Sequence, residues 1–518
     1  MARAAAALAL AAVATLGEAR EAAAALQPER GPSPLPLRAS AGGCSPTSDV
    51  VARLAAAEPG RRVCRTPFYL DETTRGFAAS GAALEQPFES AYGVPPGSRA
   101  IDDHIDARLA NHLNDLHLLR SLRAHPARVR DPAAAAVHVA AILPLVSYLQ
   151  GSKAADDYFL LSHPPSARLN NPIHYRRMQE AADGLEEAVR QLPDSDPRVY
   201  VVVCTHWKLA AVLGALAPLM QSPMGRRRII LAGSDLAFMN GSGSTNGADL
   251  RPNYVSVPYV ASYRADNLAW HAQTTCRASA RNASFFFAGG TARRDAGSLR
   301  GPVISAMTDA APSSEVQLFN TKDFGMKVLA RTMGYATYSA AYAKSMRRSR
   351  FCLVPAGDTA TSRRLFDAMA AGCAPVYIGE LDAAPGPRQP RKPPLGRVDG
   401  SSGQSSLPLR STVDWARHVR FAGSFECLAA DAGSGAKEAA RDLGAALERE
   451  AMDQTDEEFE RGCRARLAAY RDSLSYFASY HNSTGGVARA LLTELYQRRG
   501  IWLFRSETWP DEGGLECQ

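Results

Sequence analysis

Residues 349–380 read SRFCLVPAGDTATSRRLFDAMAAGCAPVYIGE, and this stretch decides the fold. Residues 350–354 are an apolar run ended by Pro355, which predicts a strand. Residues 356–361 are small and polar, a loop. From 362 to 371 the apolar residues Leu365, Phe366 and Met369 recur at helical spacing, and Gly372 supplies the stop. Residues 375–378 predict a second buried strand. A βαβ unit places its loop and helix N-terminus at the carboxyl edge of a parallel sheet, where open α/β folds bind ligands. The helix start presents unpaired N–H groups and a positive dipole end to a phosphate. Arg363 and Arg364 add charge there, and an arginine fork holds phosphate bidentately. Asp367, one turn on, is placed to accept hydrogen bonds from a ribose. The unit suits a nucleoside diphosphate, although any βαβ unit has a helix N-terminus and Ser or Thr before a helix is often only a cap.

The same window resembles the exostosin-like glycosyltransferases. Their pattern runs S-[KR]-F-C-L-x-P-x-G-x-T, then S-x-R-L-[FL]-[DE]-A, then G-C-x-P-V. Ser349, Phe351, Cys352, Leu353, Pro355, Gly357, Asp358, Thr359, Ser362, Arg364, Leu365, Asp367, Gly372, Cys373, Pro375 and Val376 fall in register without a gap. Arg363 occupies the variable position, so Arg364 is the arginine the resemblance carries over. Residues 281–290, RNASFFFAGG, resemble the family's R-x-L-x-x-F-F-A-G, and Arg300 fills the arginine of the G-x-[IL]-R that follows. Phe285, Phe286 and Phe287 read as core. Arg281, Gly289 and Arg300 are donor-site candidates.

Elsewhere the likeness is thinner. Residues 131–144 resemble the family's D-P-x-x-A-x-x-F-x-V-P strand, and residues 253–259 its K-D-V-x-x-P-Y strand. Residues 198–205 followed by His206 and Trp207 resemble a strand ending in [ST]-H-D-W-G, but Lys208 stands after Trp207 and the family's aspartate and glycine are missing. Asp414 and Trp415 match a later D-W. Residues 385–406, rich in Pro, Gly, Ser and Arg, read as a disordered surface insertion.

Composition sets the class. The chain has 518 residues, 46% of them hydrophobic, enough for two folded domains. Its net charge of +7 is spread along the chain. No basic stripe interleaves with aromatics, so nucleic acid is not expected as a partner. Residues 4–16 form a short Ala/Leu run behind Arg3, the length of a signal-peptide core or short anchor and too short to span a bilayer comfortably. The run also reads as an Ala-rich helix, since residues 22–25 continue it. Five prolines between 27 and 48 suggest an extended stem. Sequons at Asn240, Asn282 and Asn482 permit a secretory setting, with Asn282 doubtful because it leads into a core strand. The nine cysteines show no zinc spacing. Cys44 and Cys64 are candidates to pair, and Cys204 and Cys352 are expected as small buried thiols in core strands.

Alternating strands and helices predict α/β layers. The resemblance implies a GT-B fold, two Rossmann-like domains facing across a cleft. The expected division is a signal peptide or anchor at 1–25, a stem at 26–65, an acceptor-side domain at 66–270, a nucleotide-sugar domain at 271–430, and helices and tail at 431–518. It further implies an inverting transfer of a sugar, most simply from a UDP-sugar, to a glycan or glycoprotein hydroxyl in the Golgi lumen, with related transferases as dimer partners. The departing diphosphate needs positive charge. Arg281, Arg300, Arg364 and the loop of Gly357, Thr359, Thr361 and Ser362 are expected to supply it without a metal. An inverting reaction needs a base, and His206 is the candidate. Asp194-Ser195-Asp196 has the D-x-D form of metal-dependent transferases but lies between prolines and reads as a solvated turn. Two other readings stand beside this one. The chain is an inactive partner or scaffold of an active transferase, which the missing aspartate motivates, or another sugar-nucleotide enzyme such as an epimerase, against which the absent G-x-G-x-x-G counts.

Overall fold

Two all-parallel sheets follow one another along the chain. The computed structural model describes residues 67–81, 83–85, 113–135, 137–151, 171–205, 212–234, 254–261, 276–290, 299–319, 335–355, 362–379, 407–409, 412–422, 428, 438–476 and 486–503. All of these belong to a single unit, 40–518. The expectations for the leader, the stem, the Cys44–Cys64 pairing, the insertion at 385–406 and the sequons at Asn240 and Asn482 lie outside the described residues.

The first sheet collects β1 (Phe68–Asp71), β2 (Arg128–Val129), β3 (Val137–Ala140), β4 (Val199–Val203), β5 (Ile229–Gly233) and β6 (Tyr254–Ser256), in the order β2-β1-β3-β4-β5-β6. Its longer helices are α1 (Asn114–Arg123), α2 (Pro144–Gly151) and α3 (Pro172–Arg190). The second sheet collects β7 (Ala283–Gly290), β8 (Glu315–Phe319), β9 (Ser349–Pro355), β10 (Ala374–Ile378) and β11 (Arg420–Phe421), in the order β11-β10-β9-β7-β8. Between its strands run α4 (Arg300–Asp309), α5 (Tyr335–Arg348) and α6 (Arg363–Ala370). After them come α7 (Glu438–Asp453), α8 (Asp456–Ala469), a π turn at Tyr470–Leu474, and α9 (Val487–Leu503). The fold is α/β of the GT-B type, with C-terminal helices.

The central strands β4, β7, β9 and β10 are mostly Val, Phe, Ile, Leu, Tyr and small residues, with Arg350 the one charged residue among them. They are buried on both faces, as parallel strands between helical layers must be. Local signals set the helix limits. Asn171 caps α3, accepting from His174 N at 3.1 Å, with Pro172 at the first position. Thr455 and Glu458 form a capping box at α8. Gly372, at φ +67°, ends α6. Cys373 N donates to Ala368 O and Gly372 N to Met369 O, both at 3.0 Å, which is the Schellman arrangement.

Two sequence expectations change here. The strand expected over 131–144 shrinks to Val137–Ala140, because Asp131 caps a 3-10 turn at Pro132–Ala134 and Pro144 opens α2. Cys352 is not a thiol: it is bonded to Cys373, joining β9 to the residue before β10. A second disulfide, Cys276–Cys463, ties the segment before β7 to α8. Cys204 is a buried thiol, as expected. Asn282, doubted as a glycan acceptor, is itself exposed although the strand it precedes is buried.

The C-terminal helices link both sheets. A Cβ at Gly444 of α7 would fall 2.3 Å from Met307 O of α4, so the glycine permits that helix contact. Beyond the π turn, α9 packs on α1 and β6 of the first sheet. Among the described residues no helix is long and apolar enough to cross a membrane.

Candidate functional site

In the second sheet the strand order reverses between β7 and β9. From β7 the chain turns toward β8, and from β9 it turns the other way, toward β10. Such a switch point opens a crevice at the carboxyl ends of the strands. Gly289 and Gly290 end β7 there, Pro355 ends β9, and α4 and α6 begin there with Arg300 and Arg363.

Ser362 is the N-cap of α6, in extended backbone at φ −125° and ψ 133°, and its side chain makes no cap hydrogen bond. The hydroxyl therefore leaves the first N–H groups of α6 to other acceptors. Arg364 lies across the switch point. Its Nε and Nη2 donate to Ala288 O of β7 at 3.2 and 3.1 Å, and its guanidinium stacks 5.3 Å above the Phe287 ring. The side chain is half-buried. Gly289 makes the space: a Cβ there would lie 2.5 Å from Arg364 Nη2. Arg300, the first residue of α4, is fully buried at the same edge.

Other expectations are redirected. Arg281 sits before the first residue of β7, about 25 Å from Gly289 along the extended strand. It is buried. Nη1 donates to Ser349 O at 2.6 Å and Met346 O at 3.2 Å, and Nη2 to Ala371 O at 2.7 Å, so it ties the ends of α5 and α6 at the opposite edge. Arg281 is a structural cation, not a donor-site residue. Asp367 also departs from its expected place. Its carboxylate is fully buried, with Oδ2 3.6 Å from Arg363 Nε. A ribose beside the helix cannot touch it in this arrangement, and its visible role is to hold Arg363. His206, Gly357, Thr359 and Thr361 lie outside the described residues.

The D-x-D turn is structural as well. Asp196 holds Arg198 through Nε at 2.7 and 2.9 Å, and Arg228 Nη2 donates to the carbonyls of Pro193 and Asp194 at 2.7 and 3.0 Å. Burial raises the Asp196 carboxyl, but the Arg198 hydrogen bonds outweigh it and hold the group below its ordinary range. Among the described residues no group of three or more His, Cys, Asp or Glu is placed to hold a metal.

Sequence reading missed Phe287 and Ala288 as the seat of Arg364. The signal was the glycine pair at a strand end, which marks close approach to a strand.

Comparison with known proteins places this edge inside a described domain. Residues 219–422 match the Exostosin GT47 domain, a span that contains the whole second sheet and Gly289, Arg300, Ser362 and Arg364. A protein of Arabidopsis thaliana described as a probable xyloglucan galactosyltransferase is 29% identical over 130 residues. That match covers 24% of this chain and 23% of the relative's length.

Proposed function

We propose that this exostosin-like glycosyltransferase domain, residues 219–422, makes the chain an inverting transferase that moves a sugar from a UDP-sugar to a glycan or glycoprotein hydroxyl. The observation that carries the reading is the Arg364 guanidinium, held over the switch point beside the start of α6. A diphosphate leaving group gains charge as the glycosidic bond breaks. Preoriented cations and helix N–H groups stabilise that charge without reorganising. Arg364, Arg363 and the N-terminus of α6 meet the requirement, with buried Arg300 adding positive potential. These groups supply the charge in this reading, so it includes no metal. His206, three residues after β4 in the sequence and outside the described residues, is the proposed base for the acceptor hydroxyl.

Two disulfides support a secretory compartment, since such bonds persist where the environment is oxidising. The Golgi lumen, where nucleotide-sugars meet glycans, is the proposed location, and dimerisation with related transferases belongs to the same reading.

The test is UDP release from a panel of UDP-sugars, with and without EDTA, for the wild type and Arg364→Ala. Release by the wild type, retained in EDTA and lost in the variant, supports the reading. Activity that disappears in EDTA and returns with manganese overturns the metal-free mechanism. UDP binding without turnover favours an inactive partner, the reading that the missing aspartate after His206 motivates. Absence of UDP binding refutes the donor site.

A further inference from the structure

We propose that Phe287 and Gly289 are positioning residues that fix the Arg364 guanidinium over the switch point, a role that rests on the donor-site reading above. Successive odd residues of a strand share a face, so Phe285, Phe287 and Gly289 line one side of β7. Phe287 supplies an aromatic floor for the cation, 5.3 Å below it. Ala288 supplies the carbonyl that takes Nε and Nη2 together. Gly289 supplies an absent side chain. A Cβ there would meet Arg364 Nη2 at 2.5 Å and Phe287 Cζ at 2.8 Å, closer than real Cβ contacts come. Both groups must give: the guanidinium, the far end of a flexible chain, is displaced from its seat, and the ring, 1% exposed and packed into the core, shifts by less. An arginine on a helix start samples many rotamers. This cradle selects one before any diphosphate arrives, and preorganisation of that kind improves binding by lowering its ordering cost.

The experiment uses the full chain with Gly289→Ala, Phe287→Leu, Arg364→Ala and the two double variants that include Arg364→Ala. UDP affinity is measured by calorimetry and folding by cooperative melting. Loss of the Arg364 contact to a diphosphate weakens UDP binding about tenfold or more. Gly289→Ala is expected to approach that loss, and Phe287→Leu, which keeps apolar volume but removes the ring, to show a smaller one. Neither adds further loss in the Arg364→Ala background. A crystal structure of Gly289→Ala is expected to show the guanidinium displaced from Ala288 O, with a smaller shift of the Phe287 ring and β7 still paired with β8 and β9. Additive losses, or a guanidinium still on Ala288, overturn the proposal. If Arg364→Ala binds UDP like the wild type, the donor-site reading fails, and the crystal structure alone decides the positioning claim.

Discussion

Asn114 of α1 donates through Nδ2 to the hydroxyl of Tyr476 at 2.8 Å, and that hydroxyl donates in turn to Pro258 O at 2.7 Å. Tyr476 follows the π turn that continues α8, while Asn114 and Pro258 belong to the first half of the chain. The side chain of Ser121, on α1, also donates to Tyr476 O at 3.1 Å. One buried tyrosine thus connects the C-terminal helices to the helix and strand end of the first sheet. Tyr476→Phe keeps the ring and removes the hydroxyl, leaving buried polar partners less satisfied. Its expected cost is about 1–2 kcal/mol, read as a lower denaturation midpoint. An unchanged midpoint would show that the link is energetically empty.

Arg281→Ala separates the structural arginine from the site arginine. Arg281 holds three backbone carbonyls, near the end of α5, at the start of β9 and at the C-cap of α6, and Phe459 of α8 lies 5.0 Å from its guanidinium. Truncation leaves those carbonyls buried, at an expected cost of about 2–4 kcal/mol. UDP affinity of the folded fraction should remain that of the wild type, in contrast to Arg364→Ala. A tenfold loss of UDP affinity with normal stability would return Arg281 to the donor site.

How far the sequence shows the fold is clearest in residues 349–380. Pro355, Ser362 and Gly372 each act within one turn of the backbone, so strand, helix and stop are readable from local chemistry. What local chemistry does not carry is which edge of the sheet a residue faces and what packs on it. Arg281 and Arg364 look equivalent in the sequence, yet they stand at opposite ends of β7. Their assignment requires the parallel pairing of β7 with β9, which begins at Ala283 and Ser349. Cys352 and Cys373 are 21 residues apart, and their bond depends on the same strand neighbourhood between β9 and β10. The enclosure of Asp367 is set by tertiary burial, which the helical wheel of α6 alone does not determine.

Asp115 gives the first half of the chain a dependence on pH. It is fully buried on α1, accepting from Leu116 N at 2.9 Å and from Leu145 N, at the start of α2, at 3.1 Å. Burial raises its carboxyl to about 7, overriding the lowering by those N–H groups. Between its ordinary value of 3.8 and about 7, the folded protein holds a proton that the unfolded chain has released. Its contribution to stability is therefore complete below the lower value and lost as pH rises through the upper one. Asp115→Asn cannot ionise. The stability of the wild type relative to this variant should fall by a few kcal/mol, on the order of 1.4 per pKa unit, from pH 4 to pH 8. A difference that stays flat across that range would contradict the raised value.

Asp367 decides how the arginines at the site are held. It is five positions beyond Ser362, so it is rotated by about 140° and lies about 7.5 Å further along the helix axis. It therefore cannot share a phosphate with the first N–H groups of α6, and two roles remain. As a ribose ligand it would act on UDP and not on inorganic diphosphate. As the partner of Arg363 it acts on both, through the cation it steadies. Full burial and the 3.6 Å approach to Arg363 Nε favour the second role. Arg363 is 26% exposed, so solvent weakens the pair, and Asp367→Asn should cost about 1–2 kcal/mol of binding free energy. Calorimetry with UDP and with inorganic diphosphate should show equal losses. If UDP alone weakens while diphosphate binds as before, the carboxylate reaches the ribose in the bound state, and the ion pair with Arg363 describes only the ligand-free protein.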